Sequence, residues 1–324
     1  MEIVSNTNPG QENKFNYLGR GSEYAVIFFK NIILTLLTLG IYYPWAKVEQ
    51  LQYFYKSTEL GGKKFNFTGT GKEVFKGYIK IYLIFIVLYT TILIATATKS
   101  QNLLFVSFAL FYAFLIVIIP FAIHGAIRYR SSKSSWNGIQ FKYTGIRMEM
   151  FRMVLKGILL TIVTLGIYGA WFDVSLRKYI LKHLKLGSIT FDFKGKGDEL
   201  FIINLKFILL FYITLGIYSI WYIKNLYKFY IENIVIYQNN KEIKLKLDIT
   251  PGEIFKLIFV NFLLIVFTLG LATPWVTIRV FRYAIENLVI EGDLDLDNVK
   301  IIASDDFDDA TGDSFMDFLD FDLI

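Results

Sequence analysis

The sequence predicts a mainly α-helical integral membrane protein built from tandem copies of one unit. Of its 324 residues, 54% are hydrophobic, 18% are aromatic and only 19% are charged. That balance is typical of a membrane protein. Two apolar runs are long enough to cross a bilayer. A Thr-Leu-Gly motif, followed five residues after its glycine by Trp, occurs four times, which indicates an internal repeat.

The repeated unit begins with a short strand-like alternation of aromatic residues, continues through a glycine turn and reaches a Glu that opens an apolar run. From the first aromatic residue to this Glu is eight residues in four copies, at 15–23, 65–73, 141–149 and 191–199, and a weaker fifth copy lies at 245–253. The apolar run ends at Thr-Leu-Gly, and an amphipathic helix of about 14 residues then starts near the Trp. The unit is therefore strand and turn, apolar helix and amphipathic helix.

These spacings divide the chain into a polar N-terminal arm at 1–13, a membrane domain at 14–285 and an acidic tail at 286–324. The units lie near 15–64, 65–140, 141–190, 191–244 and 245–285. The second unit is 26 residues longer than the first between its Glu and its Pro, and the extra length is apolar. We therefore expect one additional hydrophobic helix there. The tail has 13 acidic residues and one basic residue, so the rest of the chain is strongly basic.

Two topologies compete for the apolar runs. The runs at 81–98 and 103–123 are the clearest membrane spans, whereas those at 24–43, 157–172, 207–222 and 257–276 are of marginal length. If the marginal runs are re-entrant or interfacial hairpins, nearly every Lys and Arg except Lys99 lies on one side of the membrane, as the positive-inside tendency favours. Hydropathy alone favours six spans. We predict about six hydrophobic helices and leave their sidedness open.

Aligning the copies within the chain produces columns of polar residues. The first column is a carboxylate at each helix start: Glu23, Glu73, Glu149, Glu199 and Glu253. Such a residue satisfies free N–H groups and the positive end of the helix dipole, or it coordinates cations or relays protons. The second column lies seven residues further on: Lys30, Lys80, Lys156 and Lys206. A lysine there extends to lipid headgroups or lines a polar path.

Two further columns lie at and after the Trp. The basic residues Arg128, Lys178, Lys228 and Arg282, with Gln52 in the first copy, each precede an aromatic residue. They are candidate contacts for lipid headgroups or an anionic solute, and plain interfacial anchoring is the alternative. The tryptophans themselves are predicted interface anchors: Trp45, Trp171, Trp221 and Trp275.

No catalytic signature is found. The chain has no cysteine, which excludes disulfides and thiol chemistry, and neither His124 nor His183 has metal-ligand spacing. Phosphate-loop, dinucleotide and serine-hydrolase motifs are missing. We expect no enzyme activity, no cofactor, no metal and no nucleic-acid partner. The expected partners are membrane lipids and a protein that binds the acidic tail, and the sequence does not set the oligomeric state.

Three stretches together resemble a known family. They are Leu-Thr-Leu-Gly-Ile-Tyr-Tyr-Pro-Trp-Ala-Lys at 37–47, Phe-x-Phe-x-Gly-x-Gly-x-Glu at 65–73 and Leu-Gly-Leu-Ala-Thr-Pro-Trp at 269–275. The chain resembles the YjgN-like family of bacterial inner-membrane proteins, which contain a domain of unknown function, over residues 14–297. The resemblance implies a multi-pass protein of the bacterial inner membrane and no known reaction. The chain departs from the pattern at 169–170 and 219–220, where the motif can have Pro before Trp.

Two functions follow from these patterns. One is transport or handling of a lipid or a small anionic solute through the Lys and Arg columns, in a path shared by the repeats. The other is a non-catalytic membrane scaffold or regulatory subunit that binds a partner through its amphipathic helices and acidic tail. A polar cavity lined by the Glu and Lys columns favours the first, and columns that face headgroups around a packed core favour the second.

Overall fold

The computed structural model describes residues 14–296 and residue 299, and these form a ring of helices on a ten-stranded sheet. The described helices are α1 (Gly21–Leu37), α2 (Tyr43–Lys56), α3 (Gly71–Ala97), α4 (Gln101–Lys133), α5 (Arg147–Val163), α6 (Gly169–Lys182), α7 (Gly197–Ile213), α8 (Ser219–Glu232), α9 (Pro251–Phe267) and α10 (Thr273–Glu286). The described strands are β1 (Phe15–Tyr17), β2 (Thr58–Leu60), β3 (Lys63–Phe67), β4 (Ser134–Trp136), β5 (Ile139–Tyr143), β6 (Leu184–Leu186), β7 (Ile189–Phe193), β8 (Ile234–Gln238), β9 (Lys241–Leu247) and β10 (Leu288–Glu291).

The sheet is antiparallel, and its strands lie side by side in sequence order from β1 to β10. Tight turns join β2 to β3, β4 to β5 and β8 to β9, and residues with positive φ, such as Asn137 and Gly138, supply the backbone twist that two-residue hairpins need. One face of the sheet encloses an apolar core around Trp136, which is fully buried with Ile139 and Ile243. Leu294 and Val299, which follow β10, also pack into this core.

The helices form a closed ring because each amphipathic helix packs on the next segment of the chain. Helix α2 packs on α3 and β3, α4 on α5 and β5, α6 on α7 and β7, and α8 on α9 and β9. The last amphipathic helix, α10, returns to α1 and β1 at the beginning of the described chain. We call these five helix-helix contacts the joints of the ring.

The joint that closes the ring repeats contacts made elsewhere in the molecule. Arg282 Nη2 donates to the carbonyl of Gly19 at 2.6 Å, and at the first joint Gln52 Nε2 donates to the carbonyl of Gly69 at 3.0 Å. The ring of Phe281 meets the ring of Tyr17 edge-on at a centroid distance of 5.0 Å. The described residues show no ladder between β1 and β10, so helices rather than strands join the two ends of the ring.

The prediction of a mainly α-helical protein with about six hydrophobic helices is wrong. Within residues 14–296, only α3 and α4 are long and apolar enough to cross a membrane. The other four apolar runs form helices of 17 residues, α1, α5, α7 and α9, each of which reverses into a 14-residue helix. The spans predicted from hydropathy were too long because they included the apolar residues that follow each turn. The short strands were predicted as the first part of each unit, but their assembly into one ten-stranded sheet was not predicted.

The added hydrophobic helix of the second segment forms a hairpin, α3 and α4, whose turn contains Lys99 with φ 53°. The Ser100 hydroxyl accepts from the N–H of Leu103 at 3.4 Å and caps α4. Helix α4 then continues through the buried Pro120 to Lys133. The predicted arm at 1–13 and the tail residues 297–298 and 300–324 lie outside the described residues, whereas residues 288–291 of the tail belong to the sheet as β10.

Candidate functional site

Four apolar helices end in one recurring turn, a Schellman motif made by Thr-Leu-Gly. In the first copy, Gly40 N donates to the carbonyl five residues before it at 2.8 Å, and Leu39 N to the carbonyl three residues before it at 3.1 Å. The Thr38 hydroxyl donates to the Leu34 carbonyl at 2.7 Å and accepts from the Tyr42 N–H at 2.9 Å. The same bonds recur at Thr164, Thr214 and Thr268. The motif therefore both ends one helix and starts the next.

The Leu of each motif adopts a left-handed backbone conformation that leucine rarely takes. The φ angles are 49°, 52°, 49° and 50° at Leu39, Leu165, Leu215 and Leu269, at a cost of about 1–2 kcal/mol each. Their side chains are 82%, 94%, 91% and 93% exposed. A strained turn that presents its leucine outward suggests a surface with a binding role.

The neighbours of each Leu enlarge the exposed surface. Residues two before and two after it are also exposed apolar side chains, for example Val163 and Ile167 beside Leu165, or Phe267 and Leu271 beside Leu269. We call the four turns at 37–41, 163–167, 213–217 and 267–271 the apolar tips. Exposed apolar surface of this kind marks contact with a membrane or a partner rather than with water.

The first apolar tip lies alongside the middle of α3. Tyr78 Oη donates to the carbonyl of Gly40 at 3.3 Å, and Tyr82 Oη donates to the carbonyl of Leu39 at 3.4 Å. Helix α3 continues for 15 residues beyond Tyr82, which is about 22 Å. The first tip and the α3–α4 hairpin therefore project from the same side of the ring, and the hairpin reaches much further.

The lysine column lies about halfway along the apolar helices. Lys30 is salt-bridged to Glu49 of α2, Lys156 and Lys206 are exposed on α5 and α7, and Lys80 is half-buried on α3. The structure thus disperses these residues around the ring and does not bring them together. Whether they contact headgroups or line a polar path stays a prediction.

The carboxylate column lies at the starts of the apolar helices. Glu73 and Glu253 each form a capping box with the preceding Thr70 or Thr250. Lys133 Nζ donates to Glu73 at 2.7 Å, and this bond lowers the pKa of the carboxyl to about 2. A hydrogen bond from the backbone N–H of Thr250 likewise lowers the pKa of Glu253.

A tyrosine from the amphipathic helix of the same segment donates to four of these carboxylates. Tyr129 Oη reaches Glu73 at 2.8 Å, and longer contacts of 3.2–3.4 Å join Tyr53 to Glu23, Tyr179 to Glu149 and Tyr283 to Glu253. The equivalent residue in the fourth segment is Phe229, which has no hydroxyl for Glu199. The carboxylates therefore connect the two helices of a segment.

The basic column has unequal surroundings. Arg282 and Gln52 donate across joints, as described above, whereas Lys228 pairs with Glu232 on its own helix at 3.4 Å. Arg128 and Lys178 are exposed. The structure therefore places these residues around the outside of the ring in separate positions, and a shared anion site made from all of them is not assembled.

The tryptophans of the motif lie at the joints. Trp45, Trp171 and Trp275 pack against Gly71, Gly197 and Gly21, where a Cβ would come within 2.3–2.4 Å of the indole ring. Trp171 Nε1 also donates to Asp198 Oδ1 at 2.9 Å. The indoles of Trp221 and Trp275 remain 44% and 45% exposed, so their role as interface anchors stays a prediction.

Sequence reasoning missed a cavity of about 620 Å³ on the axis of the ring. Helices α2, α4 and α10 line it with Phe54, Arg130 and Phe281, and Phe15 and Phe65 extend into it from the sheet. None of the predicted column residues lines it. The wall formed by the sheet contains Phe15, Phe65 and Phe141, the recurring first aromatic residue of the unit, whose recurrence was interpreted only as the start of a strand. On the helices, equivalent positions such as 54 and 130 hold different residue types, Phe and Arg, so alignment of the copies gave no column there.

No group of three or more His, Asp or Glu side chains that could hold a metal ion occurs among the described residues. His124 is buried beside Tyr143, and burial raises the pKa of that tyrosine above its usual range. His183 packs against Tyr179 at the end of α6, with a centroid distance of 4.3 Å and the ring planes tilted by 41°. Both histidines also contact the ring of Tyr143, at centroid distances of 5.6 Å for His124 and 6.4 Å for His183, so they pack around the same tyrosine.

Comparison with known proteins gives a family and a compartment. The family model described as bacterial protein of unknown function (DUF898) matches residues 12–187, 140–202 and 222–318. The inner membrane protein YjgN of Escherichia coli O157:H7 is 32% identical over 143 residues, or 44% of this chain and 34% of the relative. YjgN of Salmonella typhimurium is 29% identical over 177 residues, or 54% of this chain and 42% of the relative.

The chain thus aligns with less than half the length of these curated relatives. No solved structure matches it. The names of the relatives support a location in the bacterial inner membrane and confirm the YjgN-like resemblance predicted from the motifs. Because the family model covers well over half of the sequence, the chain belongs to the DUF898 family of bacterial proteins of unknown function.

Proposed function

We propose that this protein is a non-catalytic, multi-pass scaffold of the inner membrane, built from five repeats and seated on one leaflet. The proposal rests on the four apolar tips, whose leucines are 82–94% exposed. In this arrangement the α3–α4 hairpin crosses the bilayer, and the apolar tips dip into the leaflet nearest the ring. The sheet then lies in the aqueous phase, on the side where positive-inside bias puts the basic residues.

The lysine column supports this depth of insertion. Lys156 lies seven residues before the end of α5, and Lys206 lies seven before the end of α7, so each is about 10 Å from its tip. If these lysines mark the headgroup level, the tips reach less than halfway through a ~30 Å hydrocarbon core. Lys80 and Lys99 are 19 residues apart, which is about 28 Å of helix and enough to cross it.

Site-directed labelling tests the topology in this cysteine-free chain. Ser22→Cys, Thr70→Cys and Ser188→Cys should react with a membrane-impermeant thiol reagent from one face, and Ser100→Cys from the opposite face. Intact cells and inverted vesicles distinguish the faces. Labelling of Ser188→Cys from the side opposite Thr70→Cys would overturn the proposal, because the 17-residue helices would then cross.

Reconstitution tests the scaffold role against transport. Proteoliposomes that contain the full chain should show no flux of a small anion above empty vesicles, because neither the axial cavity nor the groove beside it is lined by the Glu and Lys columns. Anion flux that disappears in Lys156→Gln/Lys206→Gln would contradict the scaffold. Handling of a lipid is the second candidate function, and the apolar axial cavity favours it. A protein partner of the acidic tail stays a prediction.

A further inference from the structure

The axial cavity is mainly apolar and lies between the helices and the sheet. Aromatic rings form much of its wall, including Phe54 of α2, Phe281 of α10, and Phe65 and Phe141 of the sheet. Its volume of about 620 Å³ is within the range of sites that enclose a small molecule. An apolar space of this size gains free energy by taking up a hydrocarbon chain.

A groove of about 340 Å³ lies beside this space and extends to the first apolar tip. Helices α1 and α2 line the groove, which runs from Tyr24 at the start of α1 to Leu36 and Tyr43 at the first apolar tip. Gln50 lines both the groove and the axial cavity. The two spaces are therefore neighbours.

Each of the two neighbouring spaces has one cation in its lining. Lys47 lines the groove and Arg130 lines the cavity, and neither forms a salt bridge with any residue in the described part of the chain. Burial lowers the pKa of Lys47, and the nearby Arg130 guanidinium lowers it further. Two close cations without a counter-charge at the edge of an apolar space favour an anionic group between them.

We propose that the groove and the axial cavity bind one anionic amphiphile from the membrane. Its phosphate or carboxylate contacts Lys47 and Arg130, and its hydrocarbon chain occupies the space lined by Phe54, Phe65 and Phe281. This binding deepens and rests on the second candidate function, the handling of a lipid, and is independent of the scaffold function, because it is measured on the purified full chain in detergent, where neither leaflet insertion nor flux contributes.

The test uses dansyl-undecanoate, whose fluorescence rises in an apolar site, and compares the full chain with variants. Lys47→Gln/Arg130→Gln should weaken binding about 10- to 100-fold, as expected for the loss of two contacts to a charged group. Lys64→Gln/Lys185→Gln is the matched control, because it removes the same charge from two strand lysines that line neither space. Thr277→Phe, which fills the cavity, should weaken binding of the probe's hydrocarbon chain without removing a cation from the protein.

Four outcomes would overturn the proposal. They are unchanged binding in Lys47→Gln/Arg130→Gln, equal loss in the strand-lysine control, unchanged binding in Thr277→Phe, and equal affinity for the methyl ester of the probe. Inorganic phosphate and phosphatidylglycerol distinguish a free anion from a lipid headgroup. Displacement of the probe by phosphatidylglycerol alone supports the proposal, whereas displacement by millimolar inorganic phosphate would identify a site for a free anion. Thermal unfolding of each variant shows that the ring is intact.

Discussion

The second segment of the ring differs from the other four mainly at the end where their apolar tips lie. In the other four, a 17-residue helix reverses at Thr-Leu-Gly, whereas in the second segment the helix continues into the α3–α4 hairpin. Towards the sheet the segments agree, because α2 packs on α3 and α4 packs on α5, as the corresponding helices do around the ring. The insertion of 26 residues therefore left the helix packing of the joints in place, although the joint of α4 and α5 has Phe121 and Arg147 at the positions of Trp45 and Gly71.

This difference shows which part of the unit tolerates a change in length. An apolar tip projects away from the ring, so extra apolar residues there do not have to be packed inside the protein, and in the proposed topology they meet lipid. At the joints, in contrast, a single methyl group has no room beside the indole of Trp45 or Trp171. The end of the fold that carries the apolar tips thus tolerates a longer chain, whereas the joints do not tolerate larger side chains.

The largest effect is expected when the second segment is converted into a copy of the first, which removes the α3–α4 hairpin. Residues 88–119 are replaced by Thr-Leu-Gly-Ile-Tyr-Tyr, the sequence at 38–43. We expect the protein to change from alkali-resistant to alkali-extractable in membrane pellets, because interfacial insertion is reversible whereas a transmembrane helix is effectively permanent.

The control for this exchange leaves the α3–α4 hairpin intact and changes Leu165, Leu215 and Leu269 to Asn, which should leave the protein in the alkaline pellet. Circular dichroism and thermal unfolding in detergent establish that the exchanged protein still folds. Resistance to alkali in a folded exchange variant would mean that the remaining tips alone provide permanent anchoring.

The second prediction separates membrane affinity from fold stability at the tips. In the protein without the hairpin, each change of Leu39, Leu165, Leu215 or Leu269 to Asn should lower binding to phospholipid vesicles about 10- to 100-fold, the equivalent of burying one Leu. Asn accepts the left-handed conformation, so the melting temperature should stay the same or rise. Vesicle flotation measures the first effect and thermal unfolding the second.

Leu18→Asn is the matched control, since Leu18 is an exposed leucine at the end of α1 opposite the tip. It should leave flotation unchanged. If the tip variants lose stability and keep their vesicle binding, the leucines support the fold and not the membrane contact.

The sequence was sufficient to predict where the apolar helices begin and where the four 17-residue helices end, because both points have local chemistry. A carboxylate such as Glu73 at a helix start, or glycine at position 40 after a helix end, acts through hydrogen bonds within a few residues. The Thr-Leu-Gly pattern was correctly interpreted as a stop, a bend and a restart. Hydropathy failed at the next step, because a run of 16–20 apolar residues fits either a span or a tip.

The sheet and the axial cavity could not be predicted because they depend on residues far apart in sequence. The strands have three to seven residues, and their pairing follows from the way the helices stack around the ring. Arg282 bonds to Gly19 across 263 positions, a contact that no local pattern indicates. The axial cavity likewise combines side chains from α2, α4 and α10, such as Phe54, Arg130 and Phe281.

The third prediction compares the joints. Gly71→Ala should destabilise the protein by about 1–3 kcal/mol, as overpacking does, because the new Cβ would lie 2.4 Å from the Trp45 ring and 2.7 Å from its Cα. Gly21→Ala at the closing joint meets only the ring of Trp275 at 2.3 Å, so a smaller loss is expected there. Thermal unfolding in detergent measures both.

Gly252→Ala is the control for these joint variants, since Gly252 lies in the first turn of α9 and an added methyl group there would have no neighbouring atom within 4 Å among the described residues. It should keep the stability of the unchanged chain. Equal losses at Gly71, Gly21 and Gly252 would show that helix-start flexibility, and not contact with the indole, explains the requirement for glycine.

The smallest predicted effect is on the stability of the protein at acid pH, and it compares a carboxylate of the second segment with one of the fifth. The pKa of Glu73 is lowered to about 2, first by Lys133, so its stabilisation is complete above the unfolded pKa of about 4.3 and is lost as the pH falls towards 2. Because the Glu73 side chain is 38% exposed, solvent screening limits the contribution to about 1 kcal/mol or less.

Glu73→Gln should therefore lower the melting temperature slightly at pH 7 and flatten its dependence on pH between 4.3 and 2. Glu253→Gln provides the comparison, because Glu253 has the same capping box without a lysine partner among the described residues. A smaller change in slope is expected there. If both variants change the acid slope equally, the capping box accounts for the effect, and the Lys133 salt bridge adds nothing to the segment that crosses the membrane.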